Sequence, residues 1–229
     1  MILSMEEWIV LWISLKTALA AVLCGLPAAI LIGYLLARWN SNAKSIVEIV
    51  VNLPLVLPPV VTGYLLLLLL GRRSPVGIFL EQTVGLRISF TWLGAAIAAM
   101  VVSFPLMTRT IRIAFESVDP RLESAARSLG AGRFRTFFTI SFPLAFRGVS
   151  AGCVLGFARS IGEFGATIMI AGNIAGVTQT IPLAIFSQVQ RPDGVEQSWR
   201  LVCLSILIAG ASLVASEILD RKARSRDST

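Results

Sequence analysis

Five long apolar stretches dominate this sequence and restrict it to one broad class of fold. A helix needs about 20 consecutive apolar residues to cross the hydrocarbon core of a bilayer, where each backbone polar group must be satisfied within the segment. The stretches lie at about 17–37, 46–70, 88–108, 148–171 and 201–219. The mean hydropathy of +0.80 agrees with them. The sequence therefore predicts an all-α integral membrane protein with about five transmembrane helices.

Basic residues are divided unevenly between the two sides that five spans define. Thirteen of the 20 Lys and Arg residues lie in the connections 38–45 and 107–147 and in the tail 220–229, and five lie in the connections on the other side. An excess of Lys and Arg marks cytoplasmic loops. We therefore expect the 107–147 loop and the basic tail to be cytoplasmic and the N-terminus to lie outside, in a multi-pass membrane protein.

Residues 1–16 allow two interpretations. Trp8, Leu11, Trp12 and Leu15 recur at helical spacing, which is typical of an interfacial lead-in with Trp at the headgroup level. The same spacing fits a continuation of the first span. The start carries two acids and no basic n-region, so we expect no cleaved signal peptide.

Several function classes are disfavoured by the residues that are missing. The chain has no His, and its three Cys are isolated in apolar runs, so no metal cluster or disulfide framework can be assembled. None of the three Lys stands in a phosphate-binding loop. The net charge of +7 is explained by membrane orientation rather than by nucleic acid. We expect no catalytic residue, cofactor or metal site, and if ATP drives this protein, a partner must bind the nucleotide and Mg.

Prolines interrupt the second span, which reads VNLPLVLPPVVTGYLLLLLL. Pro54, Pro58 and Pro59 remove backbone donors, so the helix must kink within the membrane. Such kinks are frequent both where helices line a pathway and where they serve packing alone. Pro58 and Pro59 are candidate residues of a translocation pathway.

A polar insert follows the third span and carries the pattern of two short helices. Asp119 is a suitable N-cap and Pro120 fits the first helical position. Small apolar residues then follow at helical spacing, and Gly130 and Gly132 supply the C-terminal stop. The stripe consists of Leu122, Ala125, Ala126 and Leu129.

The second short helix carries Phe134, Phe137 and Phe138 at the spacing of one helical face. A pair of helices this small cannot bury its own apolar surface, so it must dock against the membrane surface, the helix bundle of its own chain or another protein. The membrane surface and another protein fit this pattern equally well.

The insert also resembles the cytoplasmic signature of permease subunits of binding-protein-dependent ATP-binding cassette importers. That signature is E-A-A, three residues, G, nine residues, I, one residue, L-P. The matching positions in this chain are Ser124, Ala125, Ala126, Gly130, Ile140, Phe142 and Pro143. Ser124 departs from the usual Glu and Phe142 from the usual Leu, while an acid stands one place earlier at Glu123.

The resemblance implies a type I importer permease fold in which residues 119–143 are the coupling segment, seated on a cytoplasmic ATPase. It implies docking roles for Glu123 to Ala126, Gly130, the three phenylalanines, Ile140 and Pro143. Read from the pattern alone, Glu123 is either such a contact or half of an exposed pair with Arg127.

Further stretches resemble the molybdate branch of this family, followed by the sulfate and thiosulfate branch. They are LPLVLPPVVTGYLLL (53–67), SFPLMTRTIRIAFESVD (103–119) and FARSIGEFGAT (157–167). The resemblance implies a channel-forming permease for a tetrahedral oxyanion, molybdate first, with sulfate, thiosulfate or tungstate as alternatives. It also implies an ATPase dimer, a periplasmic oxyanion-binding protein and a second copy of the chain as partners.

The fourth span carries two charges, Arg159 and Glu163, beside a seam of small residues. Charged residues inside a membrane usually face the bundle interior or water and mark function, although a mutually satisfied pair also explains them. Under the functional interpretation, Arg159 donates to the oxyanion and Glu163 limits how tightly it is held. The seam consists of Gly148, Gly152, Gly156 and Ser160 and predicts close helix packing.

The outer segment 173–194 is predicted to start a short helix after Thr180. It either lies on the membrane surface or contacts an external binding protein. Two other functions remain open: a non-conducting membrane scaffold for an ATPase, and a stand-alone secondary transporter, which the lack of visible inverted halves disfavours.

Overall fold

The computed structural model describes residues 4–39, 41, 43–192 and 194–224, and within these ranges all regular structure is helical. The predicted all-α class is therefore confirmed. The helices are α1 Met5–Arg38, α2 Ala43–Val56, α3 Pro59–Leu70, α4 Pro75–Val84, α5 Trp92–Glu116, α6 Pro120–Ser128, α7 Arg133–Thr136, a π-helical turn Phe137–Ser141, α8 Phe142–Ile161, α9 Gly165–Ala171, α10 Ile181–Val189 and α11 Gly194–Arg224.

The first span begins much earlier than the apolar run alone indicates. Ser4 caps α1 and accepts a hydrogen bond from the Glu7 N–H, and the Glu7 carboxylate accepts one from the Ser4 N–H. This capping box starts a single helix of 34 residues that ends at Arg38. Residues 5–16 are therefore helical without a break before the apolar run 17–37.

The second apolar run is broken by its prolines, as predicted. Helices α2 and α3 meet at an angle of 110°, with Pro58 at the N-cap and Pro59 as the first residue of α3. Two consecutive prolines lack the N–H groups that would continue α2. Among the described residues, four helices are long and apolar enough to span a membrane, or five if this bent pair is one span.

The helices that contain the third and fourth apolar runs extend beyond those runs at their inner ends. Helix α5 continues to Glu116, and the helical segment that contains α8 starts at Arg133 and ends at Ile161. Residues 162–164 break the fourth apolar run before α9. The insert between the spans is therefore shorter than the predicted 107–147 loop.

Helices α1, α5 and α8 form the core, and small residues allow them to approach closely. A Cβ at Gly152 would lie 2.9 Å from Ile111 Cγ1, and one at Gly156 would lie 3.3 Å from Met107 Sδ. The Ser160 hydroxyl donates to the Ser103 hydroxyl at 3.1 Å. The predicted small-residue seam of the fourth span thus faces α5, as close packing requires.

Helices α10 and α11 complete the chain. Thr180 precedes α10 and Pro182 lies in its first turn, as predicted. Helix α11 continues to Arg224. Arg226 of the predicted basic tail, and the side chains of Arg221, Lys222 and Arg224, lie outside the described part of the chain.

Candidate functional site: the coupling segment and the helix junction

The coupling segment, residues 119–143, begins with a capped helix as its sequence predicts. The Asp119 side chain accepts a hydrogen bond from the Arg121 N–H at 2.8 Å, and Pro120 is the first helical residue. At the other end, the N–H groups of Gly130 and Ala131 donate to the carbonyls of Arg127 and Ala126. This is a Schellman motif, and it requires the left-handed conformation at Gly130, where φ is +88°.

That conformation gives a testable difference between two neighbouring glycines. Gly130→Ala places a Cβ on a residue with positive φ, which costs about 1–2 kcal/mol, whereas Gly132 has φ −67° and free space around it. Amide hydrogen exchange at the end of α6 should accelerate in Gly130→Ala and stay close to wild type in Gly132→Ala. Equal exchange in the two variants would contradict the assigned turn.

The coupling segment carries several large apolar side chains that are mostly exposed in this chain. Leu129 is 89% exposed, Phe134 85% and Phe138 63%. Leu122 and Ala125 are exposed beside them. We call these five residues the outward patch. A patch of this kind marks a site of interaction with a protein or a membrane.

Phe137 does not belong to the outward patch, which corrects the interpretation of the three phenylalanines as one ridge. Its ring packs inward, with centroids 4.9 Å from Tyr34 and 5.9 Å from both Phe115 and Phe142. The physical reason is the aromatic cluster formed by Tyr34 and Phe115, against which the Phe137 ring packs. Phe134 lies three residues earlier, in the short helix α7, and remains 85% exposed.

Glu123 also differs from the sequence-based expectation, because it is not half of an exposed pair. Only 2% of the residue is exposed, and Oε1 accepts hydrogen bonds from Arg38 Nε and Ser141 Oγ, each at 2.9 Å. Arg127 lies further away, with Nη2 3.7 Å from Oε2. The carboxylate therefore faces its own chain and cannot be a docking contact in this conformation.

The surroundings of Glu123 favour its charged form. Burial raises the pKa of this carboxyl, but hydrogen bonds from Arg38 and Ser141 and the positive charges of Arg38 and Arg127 outweigh burial. The pKa of Glu123 is consequently lower than usual. The sequence predicts no partner for Arg38. Its position at the end of the first span, on the side where the insert is expected, is the signal from which a contact with an acid of the insert could be predicted.

The remaining signature residues are spread over the segment. Ser124, which replaces the usual Glu, is exposed, and its hydroxyl donates to the Pro120 carbonyl at 3.1 Å. Ala126 and Ile140 are half-buried, and Pro143 is exposed in the first turn of α8. The short side chains at 124 to 126 thus leave the backbone of α6 accessible beside the outward patch.

A second candidate site lies where the two broken helices meet. Gly165 packs on Pro59 and Val60, with an added Cβ 2.9 Å from Pro59 Cβ. Gly63 packs on α9, where an added Cβ would lie 2.5 Å from the Ala166 carbonyl oxygen. We call this contact the helix junction. Of the predicted pathway residues, Pro59 lies in the junction itself, and Pro58 is exposed beside it.

Both carboxylate oxygens of Glu163 make polar contacts at the helix junction. Oε1 accepts a hydrogen bond from the Ala166 N–H at 2.8 Å, which caps α9, and Oε2 lies 2.8 Å from Arg159 Nη1. The Glu163 side chain is 2% exposed, whereas the Arg159 side chain is 32% exposed. Arg159 and Glu163 therefore form the ion pair that one of the two interpretations predicts. The Glu163 carboxylate is buried, and Arg159 is partly exposed.

Buried hydroxyls near the junction escaped the sequence-based prediction. Thr62 and Thr167 are buried on α3 and α9, and Ser103 is buried on α5 against Ser160. Thr and Ser are ordinary residues of transmembrane helices, so nothing in the sequence singled these out. Their position follows from the break between α8 and α9, which the sequence did not reveal.

The contact between Gly63 and Ala166 gives a second test. A Cβ at Gly63 meets backbone atoms, which cannot rotate away, so Gly63→Ala should cost about 1–3 kcal/mol and lower the unfolding temperature in detergent. Gly210 lies in α11 with open space around it, and Gly210→Ala should leave that temperature unchanged or raise it. A Gly63→Ala protein as stable as wild type would show that α3 and α9 are not in contact.

Comparison with known proteins identifies the family. Residues 25–225 match the model of the binding-protein-dependent transport system inner membrane component. The chain belongs to this family. The match includes the coupling segment and the helix junction, so both sites described above lie within the shared part of the fold.

Relatives place the chain more narrowly within the family. It is 50% identical over 226 residues to the Molybdenum transport system permease protein ModB of Escherichia coli (strain K12), a match that covers 99% of both chains. The sulfate transport system permease protein CysT of Salmonella typhimurium (strain LT2) is more distant, with 33% identity over 90% of this chain and 73% of that protein. The predicted resemblance to the molybdate branch is thereby confirmed.

A solved structure supports the fold independently. A permease chain of a bacterial alginate ABC transporter, crystallised in complex with alginate pentasaccharide-bound periplasmic protein, superposes with a TM-score of 0.72. The alignment covers 96% of this chain and 80% of that one at 17% identity. At this level of identity the likeness establishes the type I importer permease fold, and the predicted fold class is confirmed.

Proposed function

We propose that this protein is the membrane-spanning subunit of an ATP-driven importer, through which molybdate crosses the bacterial inner membrane. The observation that carries this function is the 50% identity to the Escherichia coli molybdenum permease, which extends over nearly the full length of both chains. A chain that shared only the general fold would not retain identity from end to end. Sulfate and thiosulfate are less favoured substrates, since the sulfate permease is the more distant relative, and tungstate is the alternative to molybdate.

ATP and Mg are bound by a separate subunit under this proposal, and the outward patch is where that subunit docks. The patch is apolar and includes two exposed aromatic rings, Phe134 and Phe138, and buried aromatic side chains are frequent anchors of protein interfaces. The capped helix α6 and the turn at Gly130 hold the patch in a fixed shape. Docking on a protein is therefore preferred here over docking on the membrane surface.

The sidedness of the chain follows from the same proposal. The coupling segment lies in the cytoplasm, as the excess of basic residues on its side requires, and the start of α1 lies outside. The outer segment around α10 then faces the periplasm, where an oxyanion-binding protein delivers the substrate. Two copies of the chain assemble, because five spans provide too few helices to enclose a gated pathway.

Transport proceeds by alternating access through the helix junction. Closure of the ATPase dimer moves the coupling segments together and opens the spans outward, and hydrolysis allows their return. Arg159 offers the oxyanion a guanidinium group with several donors, while Glu163 holds that group in place and moderates its charge. A site that binds too tightly would stop the passage of the ion.

Uptake of labelled molybdate in cells tests the proposed substrate. An Escherichia coli strain without its own molybdenum permease, supplied with this chain and its partner subunits, should accumulate molybdate. Unlabelled molybdate should compete, and sulfate should compete poorly. Accumulation that sulfate suppresses as well as molybdate does would assign the chain to sulfate transport, and no accumulation of either ion would contradict an oxyanion importer.

A further inference from the structure

Glu123 is the one residue of α6 that is buried in the protein. The other side chains of this helix are exposed, apart from the half-buried Ala126. Apolar burial therefore does little to attach α6 to the membrane helices. The Glu123 carboxylate attaches α6 instead, and its contacts determine how firmly α6 is held.

The Glu123 carboxylate joins three elements that are distant in sequence. Besides the hydrogen bonds from Arg38 on α1 and Ser141 in the π-helical turn, the Tyr34 hydroxyl of α1 donates to Oε2 at 3.4 Å. Arg38 Nη2 also donates to the Val118 carbonyl at 2.9 Å. We call this set of contacts the Glu123 clasp. Charge-assisted hydrogen bonds of this kind are about twice as strong as neutral ones.

Helix α1 connects the clasp with the opposite side of the membrane. Near its outer end, the Ser14 hydroxyl accepts a hydrogen bond from the Ile181 N–H at 2.8 Å. Val10 and Leu11 pack there against α10 and α11. One continuous helix of 34 residues thus contacts α6 at its inner end and α10 at its outer end.

We infer that Glu123 is a positioning residue that fastens α6 to α1, so that a displacement of the coupling segment moves α1 as well. The inference rests on the proposed docking of an ATPase at the outward patch. Without the clasp, α6 is connected to α1 only indirectly, through α5 and α8 and through the Phe137 ring that packs on Tyr34, so α1 follows its movement less closely. The expected defect is loss of coupling between ATP hydrolysis and transport, not loss of docking.

Spin-label distances test the clasp in the full chain, in lipid and without the ATPase. Labels at Leu35 on α1 and Ser128 on α6 are suitable because both residues are exposed, after replacement of Cys24, Cys153 and Cys203 with alanine. The distribution of distances should be narrow in the otherwise unchanged protein and broad in Glu123→Gln. It should remain narrow in Glu116→Gln, which removes an acid from an exposed pair with Arg112.

Coupling is then measured in the complex as molybdate transported per ATP hydrolysed. We expect the ratio to fall roughly tenfold in Glu123→Gln, a size typical of coupling between sites, while the complex with the ATPase still assembles. Glu116→Gln should keep the wild-type ratio. A merely destabilised protein would lose transport and hydrolysis together, so the ratio separates the two effects.

The outcomes distinguish the clasp from the docking proposal. A narrow distance distribution and a normal ratio in Glu123→Gln would overturn the role of the clasp, whereas failure of the wild-type chain to bind the ATPase would overturn docking. If Glu123→Gln does not fold, Ser141→Ala removes one hydrogen bond and keeps the charges. That variant should show the same change to a smaller degree, and normal values in it would overturn the inference.

Discussion

Replacing Phe134 and Phe138 together with alanine is expected to abolish stable assembly with the ATPase subunit. Both rings are mostly exposed in the isolated chain, so their loss should leave the membrane helices folded. At an interface, each buried aromatic anchor contributes about 2 kcal/mol or more. Because 1.4 kcal/mol corresponds to a tenfold change in affinity, the loss of two anchors should weaken binding roughly a thousandfold. Co-purification and titration of the ATPase in lipid measure this change.

Phe79 provides the matched control for this experiment. It is 62% exposed but lies on α4, outside the coupling segment. Phe79→Ala should bind the ATPase as wild type does, and Phe137→Ala should instead reduce stability, because that ring packs inward. Equal binding by the double variant and the Phe79→Ala protein would show that the ATPase does not dock at the outward patch.

Replacing Glu163 with alanine is expected to destabilise the protein strongly. The change removes the cap of α9 and leaves the Arg159 guanidinium without the carboxylate that pairs with it. Loss of one partner of a buried pair costs about 3–5 kcal/mol, and the partial exposure of Arg159 places the expected cost near the lower value. The unfolding temperature in detergent should fall by several degrees, and molybdate uptake should fall with the amount of folded protein.

Glu81 is the control for Glu163 because it is also ion-paired, at 2.7 Å from Arg87, but in an exposed setting. A surface pair contributes about 0–1 kcal/mol, so Glu81→Ala should leave the unfolding temperature nearly unchanged. Arg159→Lys adds a second comparison because it keeps a positive charge beside Glu163 but loses the planar fork of donors; it should reduce uptake more than stability if Arg159 contacts the oxyanion. Similar losses of stability in Glu163→Ala and Glu81→Ala would contradict the assigned role of Glu163.

The class of fold and the start of the coupling segment follow directly from the sequence. Apolar run length and capping signals are local properties, and both depend on backbone hydrogen bonds that a short stretch must satisfy by itself. The turn at Gly130 was predictable for the same reason. Periodicity alone predicts docking of the coupling segment but does not distinguish a membrane from a protein. The family resemblance favours docking on a protein.

The inward orientation of Phe137 and Glu123 could not be read from spacing. The ring of Phe137 packs on Tyr34 and Phe115, which lie in other helices. The partners of Glu123 come from α1, far away in sequence, so the local pair with Arg127 was the simpler expectation. The break after α8 was missed because Gly162 and Glu163 are compatible with a continuous apolar span.

Molybdate accumulation in proteoliposomes is the most direct test of the central claim, namely that this chain conducts the ion under the control of ATP. The purified chain, its ATPase and a molybdate-loaded binding protein are reconstituted together, and labelled molybdate is measured inside the vesicles. We predict accumulation that requires both ATP and the loaded binding protein and that disappears in the Phe134→Ala, Phe138→Ala double variant. ATP hydrolysis by the assembled complex without any molybdate inside the vesicles would contradict the claim and identify the chain as a non-conducting scaffold.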